Sequence, residues 1–539
     1  MNLKSPFPKS SSPAAELTVL DVQELAPDLQ LMLCGFQGLV NRGQPRLYLA
    51  FDGNEHLWPR RLLDRGVIEK IGETRDWKGV LERFSAAAKG LVVTEPEFPV
   101  TVNIATMLAG IHDLLIVSPA LAEELSDRLP VIEDLRGRWS SKVEAYRWAR
   151  EALWSGLRRD ILAIRYPDSV RDRDYIVQFR IFTFWISGDV DGLQPGSDPG
   201  EEMRFAEELF AETPANCPVM GYPYAGEGIG PGEGGGVALA TRYGKYIVCD
   251  CPNLSVHSGV PAPRFEQRPP RQVEPDDGKV YVSFIISDGD NLNCWDSAHQ
   301  PLWNAASRGR VALGWNVMPG CWELIPDMLG HYYDTASDND CFIACGGGVG
   351  YANPHLYASR TADPEGAHRD YVEQTSGYLR KLDIDILNPY HMGYEIDHQN
   401  IADFRPLPAG SPPAKETLRR YLGQIPFLKG VFPDYARTPG MTYPMSHYLL
   451  QAGDREVPVV HAMTEHFWPS KGKEGDVAAR IGEIRRLTDG IRPAFINAFT
   501  VNWCFDPDDV VKVMEGLGPD FVAVRPDQLA GLVRQHLGE

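Results

Sequence analysis

Apolar residues recur along the chain in short continuous runs set off by polar and glycine-containing stretches. In the second half the series is regular: VYVSFII (280–286), VALGWNV (311–317), CFIAC (341–345), IDILNPY (384–390), GVFPDY (430–435), VPVVHAM (457–463), AFINAF (494–499) and DFVAV (520–524). Runs without polar alternation suit strands buried on both faces, as in parallel sheets. Between them, RDYVEQTSGYLRKL (369–382) and VAARIGEIRRLTDG (477–490) space apolar residues by three and four, the period of a helix with one buried face. DPDDVVKVMEGLG (506–518) opens with Asp506 as an N-cap and Pro507 at the first helical position, and stops at Gly518. RPDQLAGLVRQHL (525–537) closes the series in the same way. Eight strand-helix units in about 260 residues predict a (β/α)8-type, TIM-like barrel, with a doubly wound open sheet as the alternative.

The first half alternates less regularly. RLYLAF (46–51), GLVVTE (90–95), DLLIVS (113–118), CPVMGY (217–222) and KYIVCD (245–250) predict strands, and SSKVEAYRWAREALWSGL (140–157) predicts an amphipathic helix. Residues 260–278, VPAPRFEQRPPRQVEPDDG, hold five prolines and no periodicity. The expected plan is an α/β region of one or two small domains over 1–259, a proline-rich linker over 260–278 and the barrel over 279–539.

Composition narrows the function. The chain has 539 residues, 43% of them hydrophobic and 23% charged, so a folded multidomain protein is expected. With 53 Lys+Arg against 73 Asp+Glu the formal charge is −20, which disfavours nucleic acid and anionic membrane surfaces as partners. Nine cysteines without framework spacing read as free thiols. The N-terminal segment has no apolar core of signal-peptide length, so a cytoplasmic location is the expectation, with secretion left open.

In a β/α barrel, chemistry gathers on the loops after the strands. The first run leads into SDGDN, with Asp288, Asp290 and Asn291. An Asx-turn is the bland reading; an acid, base, metal ligand or hydroxyl binder is the functional one. Later runs lead to Asn316, Tyr351, Tyr390 and His391, to Glu395, to Asp434, to His461 and Glu465, and to Trp503. Such a mouth suits a sugar, whose C–H faces stack on aromatic rings while polar groups hold its hydroxyls. Glycoside hydrolysis needs two carboxyl groups, one protonated and one ionised. Asp288, Asp290 and Glu395 are the catalytic candidates. Asn291, Asn316, Tyr351, Tyr390, His391, Asp434, Glu465 and Trp503 are the substrate-binding ones. No cofactor is required by this scheme, although Asp288 and Asp290 could hold a divalent metal. The alternatives are a metal-dependent carbohydrate deacetylase-like hydrolase and a glycan-binding protein without catalysis.

Rival motifs are weak. The glycines at 346–350 lack the Lys-Ser/Thr of a P-loop, and GEGIGPGEGGG (226–236) is not a GxGxxG between strand and helix. Glu227 and Glu233 in that stretch are further acids. HAMTEH spaces His461 and His466 by five, off one helical face, and no HExxH or GxSxG occurs.

Gly348-Val349-Gly350-Tyr351-Ala352-Asn353-Pro354 resembles the motif that names the GxGYxYP family of glycoside hydrolases, with Asn353 where the family has its second Tyr. SDGDNL (287–292), PGCWELIPDMLGHYYDTASDNDCFIA (319–344), GFQGLVNRGQPRLYL (35–49) and NLSVHSG (253–259) are similar to other parts of the same family. The resemblance implies a hydrolytic, barrel-like C-terminal domain behind smaller α/β domains. It implies importance, without specific roles, for Asp288, Asp290, Asn291, Gly348, Gly350, Tyr351 and Pro354.

Overall fold

Short apolar runs joined by amphipathic helices build parallel sheets throughout the chain. The computed structural model describes residues 5–186, 196–222, 233–249, 251–392, 394–396, 404–406, 411–438, 440–465 and 473–538. Contacts divide it into two units, Met1–Pro263 with Glu323–Leu329, and Arg264–Trp322 with Gly330–Glu539.

The first unit carries three small parallel sheets. Strands β1 (Glu16–Asp21), β2 (Leu47–Ala50) and β3 (Lys70–Thr74) pair in the order β2-β1-β3. Strands β4 (Gly90–Val93), β5 (Leu114–Val117) and β6 (Val131–Asp134) pair as β5-β4-β6. Strands β7 (Arg158–Ile164), β8 (Ile181–Phe184), β9 (Cys217–Met220) and β10 (Lys245–Val248) pair as β10-β9-β7-β8. The expected helix spans Lys142–Leu153, where Ser141 caps it by accepting from the Glu144 N–H.

In the second unit each of the eight apolar runs contains a strand. They are β11 (Val280–Ile286), β12 (Leu313–Val317), β13 (Asp340–Cys345), β14 (Ile386–Asn388), β17 (Gly430–Val431), β19 (Arg455–Val460), β20 (Ala494–Thr500) and β21 (Phe521–Ala523). A small hairpin, β15 (Tyr394–Ile396) with β16 (Phe404–Pro406), follows β14, and β18 (His447–Ala452) pairs antiparallel with β19. The main sheet runs β18-β19-β17-β14-β13-β12-β11-β20.

This sheet curls. Asn316 on β12 and Asn388 on β14 hydrogen-bond at 3.1 Å although β13 lies between their strands. In a flat sheet those strands are about 10 Å apart, so the contact requires a concave face. Ala462, two residues past β19, makes a parallel bridge to Asn497 on β20 across the curl. The eighth strand does not complete an eight-membered ring. Instead β21 pairs with Val280–Val282, while β12 takes Phe284–Ile286 on the same strand. A mixed α/β region with a curled parallel sheet is therefore the architecture, and a full (β/α)8 ring is not formed by these pairings.

Residues 264–278 hold no helix or strand. The Gln267 side-chain amide nonetheless covers the β13 backbone, its Oε1 accepting from Phe342 N at 2.7 Å and its Nε2 donating to Phe342 O at 3.0 Å. Asp506 and Asp509 form a capping box on the helix Pro507–Leu517, as the DPDD start predicts. Among the described residues, no helix is long and apolar enough to cross a membrane.

Candidate functional site

The site begins where β11 ends. Strand pairing carries the chain to Ser287, whose N–H donates to Thr500 O at 2.9 Å. Asp288 then turns the backbone into the left-handed region at φ 62°, and His391 and Asp434 do the same at 59° and 69°. Left-handed non-glycine residues persist only where their surroundings impose them, and they concentrate at functional sites. Gly289 is pressed against β12: a Cβ there would lie 1.4 Å from Asn316 O. The Gly289 carbonyl accepts from Met318 N at 2.9 Å and from Trp295 Nε1 at 3.0 Å, which locks the turn.

The side chains of this turn take different roles. Ser287 Oγ donates to Asp288 and accepts from Asn502 N at 3.1 Å. Asn291 Oδ1 accepts from Asn293 N at 3.0 Å, so the Asx-turn reading fits this residue. Asp290 is buried, and Tyr390 OH approaches its Oδ1 at 3.5 Å. Tyr390 in turn accepts from Asn316 Nδ2 at 3.0 Å. Asn388 Nδ2 donates onward to the Phe432 carbonyl, and to the Asp434 carbonyl at 2.9 Å. One polar line thus joins the ends of β11, β12, β14 and β17. Burial, with the negative charges of Asp290 and Asp288 behind it, keeps the Tyr390 phenol protonated well above its usual range. A protonated phenol is the state that donates to a carboxylate.

The glycine motif follows β13 and is held from all sides. Ala352 N donates to Gly346 O at 2.8 Å, Gly320 N to Val349 O at 3.0 Å, and Val349 N to Thr375 Oγ1 at 3.1 Å. Tyr371 OH donates to Gly350 O at 2.8 Å, and Tyr421 OH to Gly347 O. A Cβ on Gly348 would sit 2.8 Å from the Tyr371 ring, so this position admits no side chain. The motif delivers Tyr351 to the site: its OH meets His391 Nε2 at 2.9 Å and its ring meets Tyr390 edge-on at 5.4 Å. Asn353, in the place of the family's second Tyr, is buried and accepts from His355 N at 3.2 Å.

Aromatic rings continue from there. Tyr390 and Tyr435 are 5.7 Å apart, His391 and Tyr435 5.3 Å, and Tyr390 and Phe499 6.2 Å, all edge to face. Burial lowers the His391 pKa to about 4, with the Asp434 charge opposing, so its imidazole is neutral at pH 7. Asp434 also reaches His461 Nδ1 at 3.5 Å. Three buried amide oxygens, Asn316 Oδ1, Asn497 Oδ1 and Asn502 Oδ1, have no hydrogen-bond partner among the described residues. Buried acceptors left in this way are completed by a hydroxyl or water donor.

The structure therefore brings Asp288, Asp290, Asn291, Asn316, Tyr351, Tyr390, His391 and Asp434 to one end of the curled sheet. Glu395 enters β15 by its backbone, and its side chain lies outside the described residues, as do Glu227 and His466. Glu465 is more than half exposed and pairs with Arg437 at 2.8 Å. Trp503 is also exposed. Sequence reasoning missed Ser287 and Phe499. Their signal was parity: Phe499 lies two residues from Asn497 and shares its face of β20, and Ser287 continues the face of Ser283 and Ile285, which pair with Asn497 and Phe499. Among the described residues, no group of three or more His, Cys, Asp or Glu could hold a metal ion.

A solved structure titled a "putative hydrolase" from Bacteroides thetaiotaomicron VPI-5482 matches at TM-score 0.79 and 19% identity, over 98% of this chain and 96% of that one. That likeness shows a shared fold. A "putative polysaccharide deacetylase" from Mycobacterium smegmatis reaches TM-score 0.33 at 10% identity, over 50% of this chain and 96% of that one, too low to support an argument. No curated protein matches. Three family profiles match in sequence: "GxGYxYP putative glycoside hydrolase C-terminal domain" over residues 278–534, "GxGYxYP third domain" over 159–259 and "GxGYxYP_N second domain" over 88–157. The chain belongs to the GxGYxYP family.

Proposed function

We propose that this chain is a carbohydrate-active hydrolase, a glycoside hydrolase whose site lies at the ends of β11, β12, β13, β14 and β17. The observation that carries this reading is Asp290: a buried carboxylate approached by Tyr390 within an amide- and aromatic-lined concave end of the sheet. The family description and the hydrolase title of the fold relative support the same class.

In this scheme Asp290, with the Tyr390 phenol donating to it, is the ionised carboxylate that a glycosidase uses as nucleophile or base. The Ser287 hydroxyl donates to Asp288 beside it. Glu395 is the proposed proton donor. The neutral His391, Tyr351 and the ring wall would hold the sugar, and the three unpartnered amide oxygens would accept from its hydroxyls.

Incubation of the folded chain with a glycan panel, read by mass spectrometry, tests this. Wild type releases product from at least one glycan. Asp290→Asn and Glu395→Gln lose roughly 10²–10⁴-fold in rate, and Asp288→Asn falls with them. Full activity in all three overturns the site. Activity abolished by a chelator and restored by a divalent ion transfers it to a metal-dependent hydrolase, and binding without product to a glycan receptor.

A further inference from the structure

We propose that Trp503 is the stacking platform for a sugar outside the reacting one, so that the site takes an extended glycan chain rather than a single-sugar glycoside. This rests on the glycosidase reading above and specifies its substrate class.

Trp503 is 52% exposed in a segment that is otherwise closed: Val501, Asn502, Cys504 and Phe505 are each at most 6% exposed. The other exposed large hydrophobics among the described residues, Leu63, Val131, Ile132, Met445 and Leu537, are not aromatic. The backbone that carries the indole is fixed. Cys504 N and Phe505 N both donate to Val501 O, at 2.9 and 3.0 Å. Asn502 N donates at 3.1 Å to Ser287 Oγ, which itself donates to Asp288. The backbone that carries the indole, three residues past the end of β20, is therefore tied through Asn502 and Ser287 to the aspartate turn at the end of β11.

A rigid indole half in water offers a flat apolar face without the loss of rotamer freedom that a long side chain incurs. The C–H face of a pyranose matches it, and no ring or cation of the described residues occupies it. The reacting sugar must reach Asp290, which is only 8% exposed. A ring inside the concave end and a ring on the exposed indole are different rings of one chain. A glycoside with a single sugar leaves Trp503 uncovered.

The test uses full-length wild type, Trp503→Ala and Trp503→Phe on oligomers of two to six sugars of whichever panel glycan wild type cleaves. In Trp503→Ala, KM for the longest oligomer rises about tenfold with kcat unchanged, the size of one lost stacking contact. The shortest cleaved oligomer keeps its KM, Trp503→Phe stays near wild type, and melting temperatures match because the residue is exposed. Equal KM in Trp503→Ala and wild type at every length overturns the platform and leaves the glycosidase standing. A wild type that cleaves no glycan overturns both.

Discussion

Gly289 shows how little freedom the site has at the scale of a residue. Its Cβ position is 1.4 Å from a carbonyl oxygen of β12, and that oxygen belongs to Asn316, the amide that donates to Tyr390. Gly289→Ala therefore separates the turn from the strand. Its expected penalty is at least about 4 kcal/mol, seen as loss of soluble protein or a large fall in melting temperature. A variant that folds like wild type would show that the turn is not packed as described. SDGDN was legible as a candidate because acids and an amide cluster after an apolar run. The sequence did not reveal which group acts: Asn291 is spent on an Asx-turn, while Asp290 points to Tyr390. That division depends on backbone torsions such as the φ of 62° at Asp288.

At the scale of elements, continuous apolar runs located eight of the eleven strands described in the second unit, because strands covered on both faces need no alternation, and left out β15, β16 and the antiparallel β18. They did not reveal that β21 pairs with β11, on the strand that β12 also pairs with, instead of completing a ring. Register and curl decide that, and neither leaves a local signal. In the first unit β1, β3, β6, β7 and β8 escaped; β3 and β6 are largely solvent-accessible and mixed in polarity, and β1 and β7 mix charged or polar residues into their runs. Recurrence of polar residues after strands gave position but not direction, as Glu465 illustrates. Its carboxylate pairs with Arg437 in solvent, and exposed pairs contribute about 0–1 kcal/mol. Glu465→Gln is expected to keep activity within about threefold of wild type, whereas Asp290→Asn does not. A loss in Glu465→Gln equal to that in Asp290→Asn would restore it to the reacting centre.

Over the whole molecule, stability should depend on pH through the histidines of the second unit. Burial lowers His299, His368, His391 and His447 to about 4 each. Their unfolded values are near 6.5, so on acidification the unfolded chain takes the proton first. The stabilisation is complete above about pH 6.5 and is lost as pH falls towards 4, by about 3 kcal/mol per group at most. Glu55 in the first unit acts with the opposite sign. Burial raises it to about 7, so its contribution is present below about pH 4.5 and lost as pH rises through 7. Urea midpoints at pH 7, 5.5 and 4.5 should fall on acidification, and His368→Asn should fall less than wild type. Parallel slopes would contradict the assignment to buried histidines.

The proposed glycosidase centre at Asp290 is addressed most directly by one comparison. Wild type and Asp290→Asn, matched in folding, are incubated with the same glycan panel and their products weighed by mass spectrometry. A glycosidase centred on Asp290 gives a hydrolysed product from at least one glycan with wild type and a rate lower by roughly 10²–10⁴-fold with the variant. Product formation at the wild-type rate in Asp290→Asn, or none from any glycan in wild type, contradicts it.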